Sequence, residues 1–430
     1  MMVNPARASG AKGGAMKLRV LSASLGLLTL VSCTRRFSTG PEGQVRPLTA
    51  EEQAAVRNSN DFGLRLFQEV VRSEGSRGNV FVSPYSVSAA LAMVANGASG
   101  ATREEMWTAL GFADLGMEEA DAAFKGLTDL LLSLDPKVQL EIANAIWYRL
   151  GLHVRSDFVR LVRDYFGAPV SGLDFASPRS VQVVNQWASE RTHGKIPKVL
   201  DSINPLDVMF LANAIYFKGL WTYRFEESQT QEDVFHLPGG STIPCRMMLQ
   251  TVDDLPYQRR ANLAAVDLPY GSGHFSMTIL LPEPGIDVDS LLLQISSPEL
   301  QSLFSGFEKR KVTIWLPKFR IRYGKELSPE LKRLGMQTAF DPDRADFSRL
   351  FEDQLQPYIS SVLHRSYVQV DEAGTEAAAV TVVIVGVTSV GGGENAVLFR
   401  VDRPFIFLIR ERDSGALLFA GRITEPQWEE

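Results

Sequence analysis

The sequence is poor in cysteine. Among its 430 residues there are two, Cys33 and Cys245, and Cys33 falls in the N-terminal targeting signal described below. A single cysteine therefore remains for the folded domain, which excludes an intramolecular disulfide as a source of its stability. Stability must come from an apolar core, and a composition that is 45% hydrophobic and 22% charged is sufficient to build one. Cys245 is expected to be a partly buried thiol without a chemical role.

Motifs of enzymes and metal sites are also missing. The sequence has no HExxH pair, no Cys/His cluster, no GxSxG turn, no P-loop and no GxGxxG loop. No two of its five histidines stand at metal-ligand spacing: His153, His193, His236, His274 and His364. We therefore expect neither an enzyme nor a cofactor or metal site. A Ser/His/Asp triad assembled by folding stays open as an alternative, because triads are not read from sequence order.

Clustered positive charge is absent as well. The net charge is −6, and lysine and arginine are scattered along the chain. Domains that bind nucleic acid concentrate these residues on one face. The basic run in Glu308–Lys311 is interpreted as a solvated strand end. We therefore expect no nucleic-acid partner.

A short apolar run lies near the N-terminus. Val20–Val31 follows the basic residues Lys17 and Arg19 and precedes small residues, which is the layout of a secretory signal peptide. The run is too short for a transmembrane helix. Its end, Leu30 to Cys33, resembles the lipobox of bacterial lipoproteins, which implies cleavage before Cys33 and a diacylglycerol anchor on its thiol. The alternative is an ordinary signal peptide with an incidental cysteine.

These features predict an exported protein that lies in a bacterial cell envelope as a lipoprotein, or outside the cell. Its only membrane contact would be through the lipid. Residues 1–33 form an N-terminal extension and signal, in which Met1 and Met16 both stay open as the start. Residues 34–48 are polar with interspersed glycine and proline, as expected of a flexible tether. The folded domain is expected over residues 49–430.

Within that domain, helical patterns cluster early and strand patterns late, which predicts an α+β fold. Thr49–Glu52 and Thr102–Glu105 both read as capping boxes at helix starts. Ser83 and Pro84 fit the N-cap and first turn of a helix that is apolar on every side. The alternating segment KVTIWLPKFRI (Lys311–Ile321) predicts one strand.

Six segments, in their order along the chain, resemble the motifs of the serpins, a family of serine protease inhibitors. They are Asn79–Met106, Val184–Leu200, Phe210–Phe225, Ser276–Gly285, Val368–Thr381 and Phe399–Ile423. The resemblance covers about residues 50–427. It implies three β-sheets, about nine helices and an exposed reactive-centre loop at about residues 372–398.

The resemblance also implies a mechanism. A serpin is a suicide substrate: the target protease cleaves the loop, forms an acyl-enzyme, and is trapped when the loop inserts into the main sheet as a new strand. It implies a covalent complex with a serine protease, and it allows a cysteine protease as a further target. A non-inhibitory serpin, which acts as a binding or structural protein, is the alternative function. The expected state is a monomer with a risk of loop–sheet polymerisation.

The hinge of the implied loop has the composition that insertion requires. Its residues are Glu372, Gly374, Thr375, Glu376, Ala377, Ala378 and Ala379. Gly374 is expected to supply backbone freedom, and the residues after it are small enough to pass between strands. Because strand side chains alternate, Thr381, Val383 and Val385 continue the face of Thr375. Val380 is larger than the family prefers, but it falls on the opposite face.

By the family's spacing from Glu372, the reactive bond is Thr388–Ser389, and a shift of one residue would make it Val387–Thr388. Either bond offers a small side chain, which suits elastase-like or subtilisin-like proteases. No Arg or Lys stands between Glu376 and Phe399, so a trypsin-like target is not expected.

Further positions follow from the motifs. Ser83, Ser86, Asn213 and His364 match the polar cluster that lets the main sheet open, and Trp221 matches the tryptophan where insertion begins. The residues alone favour a helix cap for Ser83, a core position for Trp221 and a buried histidine at 364. The family's heparin-binding helix would lie near Leu115–Leu127, which is acidic, so heparin is not an expected partner.

Overall fold

The computed structural model describes residues 46–76, 78–353, 356–375 and 396–428. All of them belong to one compact unit, Gly43–Glu430. Several predicted features lie outside the described residues. They are the signal with Cys33, the hinge residues Glu376–Ala379, and the reactive bond Thr388–Ser389 with its alternative Val387–Thr388.

Helices fill most of the first half of the chain, as predicted. The described residues contain nine α-helices: α1 Ala50–Glu74, α2 Pro84–Ala95, α3 Gly100–Ala109, α4 Met117–Ser133, α5 Ser156–Phe166, α6 Pro178–Arg191, α7 Val288–Gln294, α8 Ser297–Ser305 and α9 Ser328–Arg333. None of these helices is both long and apolar enough to cross a membrane. Every residue of α2 is buried, which confirms the prediction of a helix surrounded by core.

One of the two predicted capping boxes is confirmed. The Thr49 hydroxyl accepts from the Glu52 N–H at 3.2 Å, and the Glu52 carboxylate accepts from the Thr49 N–H at 2.9 Å. The prediction at Thr102 was wrong, because α3 begins earlier, with Ser99 at its N-cap. The Thr102 hydroxyl instead accepts from the Asp346 N–H at 2.9 Å, so this side chain fastens the helix to a distant loop.

Strands dominate the second half. They are β1 Val80–Val82, β2 Val138–Arg149, β3 Val170–Leu173, β4 Met209–Leu220, β5 Gln231–His236, β6 Thr242–Arg259, β7 Leu263–Tyr270, β8 Phe275–Pro282, β9 Glu308–Pro317, β10 Phe319–Glu326, β11 Val362–Val370, β12 Gly374–Thr375, β13 Val397–Arg400, β14 Phe405–Glu411 and β15 Leu417–Ile423. The α+β class is thereby confirmed.

The described strands form two hydrogen-bonded networks. One has six strands in the order β10-β11-β12-β4-β2-β3, and the other has nine, in the order β1-β15-β14-β8-β7-β6-β9-β13 with β5 on β6. The three sheets implied by the resemblance appear as two networks, because the long strand β6 pairs with β5 near its start and with β7 at its end. A single continuous strand thus joins what would otherwise be separate sheets.

The single strand predicted over Lys311–Ile321 is two strands in the structure. The chain breaks at Lys318: β9 belongs to the nine-stranded network and β10 to the six-stranded one. Pro317, which has no N–H for a ladder bond, ends β9. The Lys318 N–H bonds instead to the Arg246 carbonyl at 2.8 Å. Lys318 therefore stands at the junction of the two networks.

The core lies between these networks and is rich in aromatic rings. Phe81 on β1 stacks on Phe419 of β15 with ring centroids 5.1 Å apart. Phe217 of β4 meets Phe419 edge-on at 6.1 Å, so the two sheets are in direct side-chain contact. Burial of such large side chains is the main stabilising term in a domain whose described cysteine, Cys245, is free.

Candidate functional site

The candidate site is a gap between two strands of the six-stranded sheet. At one end β4 and β11 are paired directly and in parallel, from Val362 opposite Leu211 to Arg365 opposite Ala214. At the other end β12 lies between them, with Thr375 opposite Gly219 of β4 on one side and Val370 of β11 on the other. The two strands are therefore closed at one end and already separated at the other.

The two ends of the gap are in the same register. Val362 lies opposite Leu211, and Val370 is level with Gly219, an offset of 151 residues in both cases. A strand added between β4 and β11 would therefore meet both neighbours without a bulge along its whole length. Such a strand would have to break the four direct pairs at the closed end and replace them with its own ladder bonds.

Gly374 enters the gap in close contact with the backbone of β4. A Cβ at this position would lie 2.1 Å from the Gly219 carbonyl oxygen and 2.7 Å from the Leu220 Cα. Both are backbone atoms, which cannot swing aside. From the sequence, Gly374 was expected to supply backbone freedom. The structure adds a second reason for a glycine, because the backbone at this position approaches β4 closely.

Thr375 is buried beneath the mouth of the gap. Its hydroxyl is 2.5 Å from the hydroxyl of Tyr270, whose ring stacks on Trp221 at 4.4 Å with an interplanar angle of 12°. Trp221 also holds the chain before Thr375: its backbone N–H donates to the Ala373 carbonyl and its indole N–H to the Asp371 carbonyl, both at 2.9 Å. Trp221 thus lies at the mouth of the gap, in contact with the residues that precede Thr375.

Glu372 holds the chain at the mouth of the gap through Lys318 and Thr230. Its carboxylate accepts from Lys318 at 2.8 Å and from the Thr230 hydroxyl at 2.7 Å, and its side chain is 9% exposed. Burial alone would raise the pKa of this carboxyl, but the bonds from Lys318 and Thr230 outweigh it, and the pKa lies below its ordinary value. Asp371 is the opposite case, since burial raises its pKa despite hydrogen bonds from Gln369 and the backbone.

Acidification is therefore expected to loosen this anchor. Because the Glu372 pKa is lowered, its contribution to the native state is complete above the ordinary carboxyl pKa and is lost as the pH falls through the lower native value. We expect polymer formation, followed on native gels, to accelerate as the pH falls below about 4.3, the ordinary pKa of a glutamate carboxyl. Glu372→Gln is the control, and it should lack this dependence. Equal acceleration in both proteins would assign the effect to groups other than Glu372. Asp371 is not among them, because its raised pKa means that protonation favours the native state.

At the closed end of the gap, the structure brings together the four predicted polar residues. His364 is fully buried, and its Nε2 accepts from the Ser83 N–H at 3.2 Å. Ser83 caps no helix N–H with its side chain, which instead donates to the Leu418 carbonyl at 2.7 Å. Burial, with the positive charge of Arg365 nearby, lowers the pKa of His364 to about 3, so the ring is neutral with its proton on Nδ1. That Nδ1 has no hydrogen-bond partner among the described residues.

Asn213 faces His364 across the strand pair. Its Nδ2 donates to the Ser86 hydroxyl and, at 2.7 Å, to the Asn144 Oδ1. Its Oδ1, like the His364 Nδ1, is buried without a partner within the described part of the chain. A free acceptor and a free donor thus lie on the two strands that flank the gap, where each costs about 1–3 kcal/mol of desolvation.

Some residues of the site were not predicted from the sequence. Asn144 is one, although a signal was present: the triplet Asn-Ala-Ile occurs at both Asn144 and Asn213, and these two residues pair across β2 and β4. Thr230, Tyr270 and Lys318 were also missed. Their roles depend on contacts with residues 371–375, which are far away along the chain.

The remaining cysteine has no chemical role that the structure reveals. Cys245 is buried, and burial raises the pKa of its thiol to about 11. The thiolate fraction at neutral pH is therefore very small. Among the described residues, one group offers three potential metal ligands, His274, Glu411 and Asp413. The Glu411 carboxylate in this group is occupied by the backbone N–H groups of Asp413 and Ser414 at 2.8 and 2.6 Å, as the turn of the β14–β15 hairpin requires.

Comparison with known proteins gives consistent matches over most of the chain. A family model described as serpin (serine protease inhibitor) matches residues 57–426. An uncharacterized serpin-like protein of Thermococcus kodakarensis is 33% identical over 401 residues, which cover 92% of this chain and 89% of the relative. The leukocyte elastase inhibitor of Sus scrofa is 33% identical, over 87% of this chain and 100% of its own length. Among solved structures, the thermophilic serpin tengpin in its native state matches with a TM-score of 0.81 at 31% identity, covering 88% of this chain and 95% of that chain.

Proposed function

Since this chain belongs to the serpin family of serine protease inhibitors, we propose that it is an irreversible suicide-substrate inhibitor that traps serine proteases by loop insertion. The observation that carries the proposal is the strand gap. Its mouth already holds Gly374 and Thr375, the first residues of the segment to be inserted. Its two walls share one register from end to end.

The proposed reaction begins as ordinary proteolysis. The protease serine Oγ attacks the carbonyl carbon of Thr388 and forms an ester, while the peptide bond to Ser389 breaks. The serine proton passes through the protease histidine to the nitrogen of Ser389, which leaves as a free amine. In a substrate, water would then hydrolyse the ester. Here the freed loop inserts first and carries the esterified protease along the sheet.

Under this proposal, the inserted loop would continue the register of the described residues. Thr375 is opposite Gly219, and in an antiparallel pair each further residue moves one position back along β4. Val385 would then lie opposite Met209, the first residue of β4. Thr388 would lie three residues further, about 10 Å beyond the edge of the sheet at ~3.3 Å per residue. The ester would therefore be drawn from one end of the sheet to the other.

The same proposed register would give Thr381 a specific position between the two neighbouring strands. It would lie between Asn213 of β4 and His364 of β11, the two residues whose Oδ1 and Nδ1 lack partners. A threonine hydroxyl has one proton and two lone pairs. It can donate to the Asn213 Oδ1 and accept from the His364 Nδ1–H. Insertion would thus satisfy two buried groups that the uninserted sheet leaves unpaired.

The target class is proposed from the residue that enters the protease's primary pocket. Thr388, or Val387 in the alternative register, is small, which suits an elastase-like or subtilisin-like enzyme. Similarity to a protein named leukocyte elastase inhibitor supports this class. A cysteine protease remains an additional candidate of the same chemistry, since it also forms an acyl-enzyme.

A denaturing gel tests the proposed function. The protein is mixed with an elastase-like and, separately, a subtilisin-like protease. We expect a band that survives SDS at the mass of the protease plus the chain up to Thr388, because the fragment from Ser389 onward is released on denaturation. The control uses each protease with its active-site serine blocked, which should give no such band. Cleavage of the loop without a covalent complex, by proteases of several classes, would overturn the proposal in favour of the non-inhibitory alternative.

We also propose that the protein is exported and held in a bacterial envelope by a lipid on Cys33. The proposal rests on the basic, apolar and small-residue order of Lys17 to Cys33. A fatty-acid analogue supplied to the producing cells is expected to label the protein, and Cys33→Ala should lose the label. Cys245→Ala is the matched control and should keep it. Labelling that survives Cys33→Ala would rule out this anchor.

A further inference from the structure

The last described residue, Trp428, lies against two cations beside the hinge. Its indole ring is 4.4 Å from the Lys318 Nζ and 4.9 Å from the guanidinium carbon of Arg320. The neighbouring Gln427 carbonyl accepts from the Arg320 N–H at 2.8 Å, so the backbone also fastens this segment to β10. Arg320 lies at the start of β10, which is the edge strand of the six-stranded sheet. The indole is therefore fixed over both cations.

Both cations are connected to the hinge by side-chain contacts. Lys318 is the ion-pair partner of Glu372 at 2.8 Å, and the two side chains are 15% and 9% exposed. An aromatic ring over a lysine excludes water from it, and both the cation–π attraction and the ion pair gain strength as water is removed. Trp428 thus strengthens the contact that holds Glu372 at the mouth of the gap.

The second route runs through Gln369. The Arg320 Nε–H donates to the Gln369 Oε1 at 3.1 Å, and the Gln369 Nε2 donates to the Asp371 Oδ2 at 3.1 Å. The Asp371 Oδ1 in turn accepts from the backbone N–H groups of Ala373 at 3.0 Å and Gly374 at 3.3 Å. Two separate series of contacts therefore connect the indole to the hinge. One runs through Lys318 to Glu372, and the other runs through Arg320 and Gln369 to Asp371.

We propose that Trp428 is a positioning residue that keeps the hinge seated at the mouth of the gap until the loop is cut. Its described ring contacts are with Lys318 and Arg320, and it acts through these two cations. Without the indole, Lys318 and Arg320 become more hydrated and hold Glu372 and Gln369 less firmly. The mouth between β4 and β11 then opens more often. The consequence for inhibition rests on the proposed function, whereas the effect on the hinge does not.

The test measures the hinge without any protease. Hydrogen exchange of the peptide that contains Gly374 and Thr375 is followed by mass spectrometry in the full-length protein. Trp428→Ala is expected to exchange about tenfold faster there, and Trp428→Phe, which keeps an aromatic face over the cations, should restore slow exchange. Trp315→Ala is the matched control, because Trp315 lies over Arg400 in the other network, at 5.9 Å, and its loss should leave the hinge unchanged.

A second readout connects the hinge to insertion. A synthetic peptide with the sequence of residues 375–388 should enter the gap of uncleaved Trp428→Ala about tenfold faster than that of the wild type, as seen by native gel shift. Unchanged hinge exchange in Trp428→Ala, or equal acceleration in Trp315→Ala, would overturn the proposal even if the wild type inhibits proteases. Faster hinge exchange in a protein that inhibits no protease would support the positioning role and refute only the proposed function.

Discussion

Thr375→Arg is expected to convert the inhibitor into a substrate. Thr375 is 1% exposed, and its hydroxyl lies against Tyr270 beneath the stacked ring of Trp221. An arginine there would have to bury a charge among aromatic rings with no acidic partner of its own, at a cost of several kcal/mol. Insertion would then be blocked at its first step, and water would hydrolyse the acyl-enzyme before the loop could move.

The measurement is the number of inhibitor molecules consumed for each protease molecule inactivated. It should rise by at least about tenfold in Thr375→Arg, because each 1.4 kcal/mol against insertion shifts the partition between trapping and hydrolysis by that factor. The gel should show cleaved chain in place of the covalent complex. Thr375→Ser, which keeps the hydroxyl and fits the same space, is the control and should inhibit normally. If Thr375→Arg still forms the complex efficiently, insertion does not proceed through this site.

The hinge shows which parts of such a site a sequence can predict. Gly374 and Thr375 stood out because local composition is visible locally: small residues follow an acidic pair and precede a β-branched run. The alternation of strand side chains also assigned Thr381, Val383 and Val385 to the face of Thr375, and Thr375 itself is buried in the structure. The reason for the glycine was incomplete, however, because the carbonyl that excludes a side chain there belongs to Gly219, on a strand far away along the chain.

The anchors of the hinge were beyond the reach of sequence reasoning for the same reason. Lys318 stands in a segment that alternates like one continuous strand, and nothing local indicates that the chain passes from one network to the other there. Trp428 reads as an isolated aromatic near the end of the chain. Its importance appears only when the fold places it over two cations whose partners are Glu372 and Gln369. Long-range pairings of this kind are set by topology and not by local pattern.

For the polar cluster at the closed end of the gap, the sequence indicated the residues but not their hydrogen bonds. Ser83, Ser86, Asn213 and His364 were named by resemblance, and the structure brings them together. The resemblance did not specify which of their atoms are left without partners. Those atoms are known only once the hydrogen bonds are assigned, and the pair that remains, the Asn213 Oδ1 and the His364 Nδ1, points to Thr381 as the residue that would complete the cluster.

Thr381→Val is accordingly expected to weaken the inserted state. Valine has nearly the same shape as threonine and suits a strand equally well, so the change removes only the hydroxyl. In the inserted state the Asn213 Oδ1 and the His364 Nδ1 would then stay buried and unpaired, on walls that a new strand has closed off from water. Each unpaired group costs about 1–3 kcal/mol, so the driving force for insertion should fall by a few kcal/mol.

Two measurements follow, on the loop-cleaved protein and on inhibition. The midpoint of thermal unfolding of the cleaved Thr381→Val protein should fall by several degrees relative to the cleaved wild type, and the uncleaved proteins, compared in the same way, give the baseline. More inhibitor should be consumed per protease inactivated, because slower insertion leaves more time for hydrolysis. Thr381→Ser retains the hydroxyl and should keep most of the wild-type stability gain. If cleaved Thr381→Val is as stable as the cleaved wild type, then Thr381 does not pair with Asn213 and His364, and the register counted from Thr375 is not the register of the inserted strand.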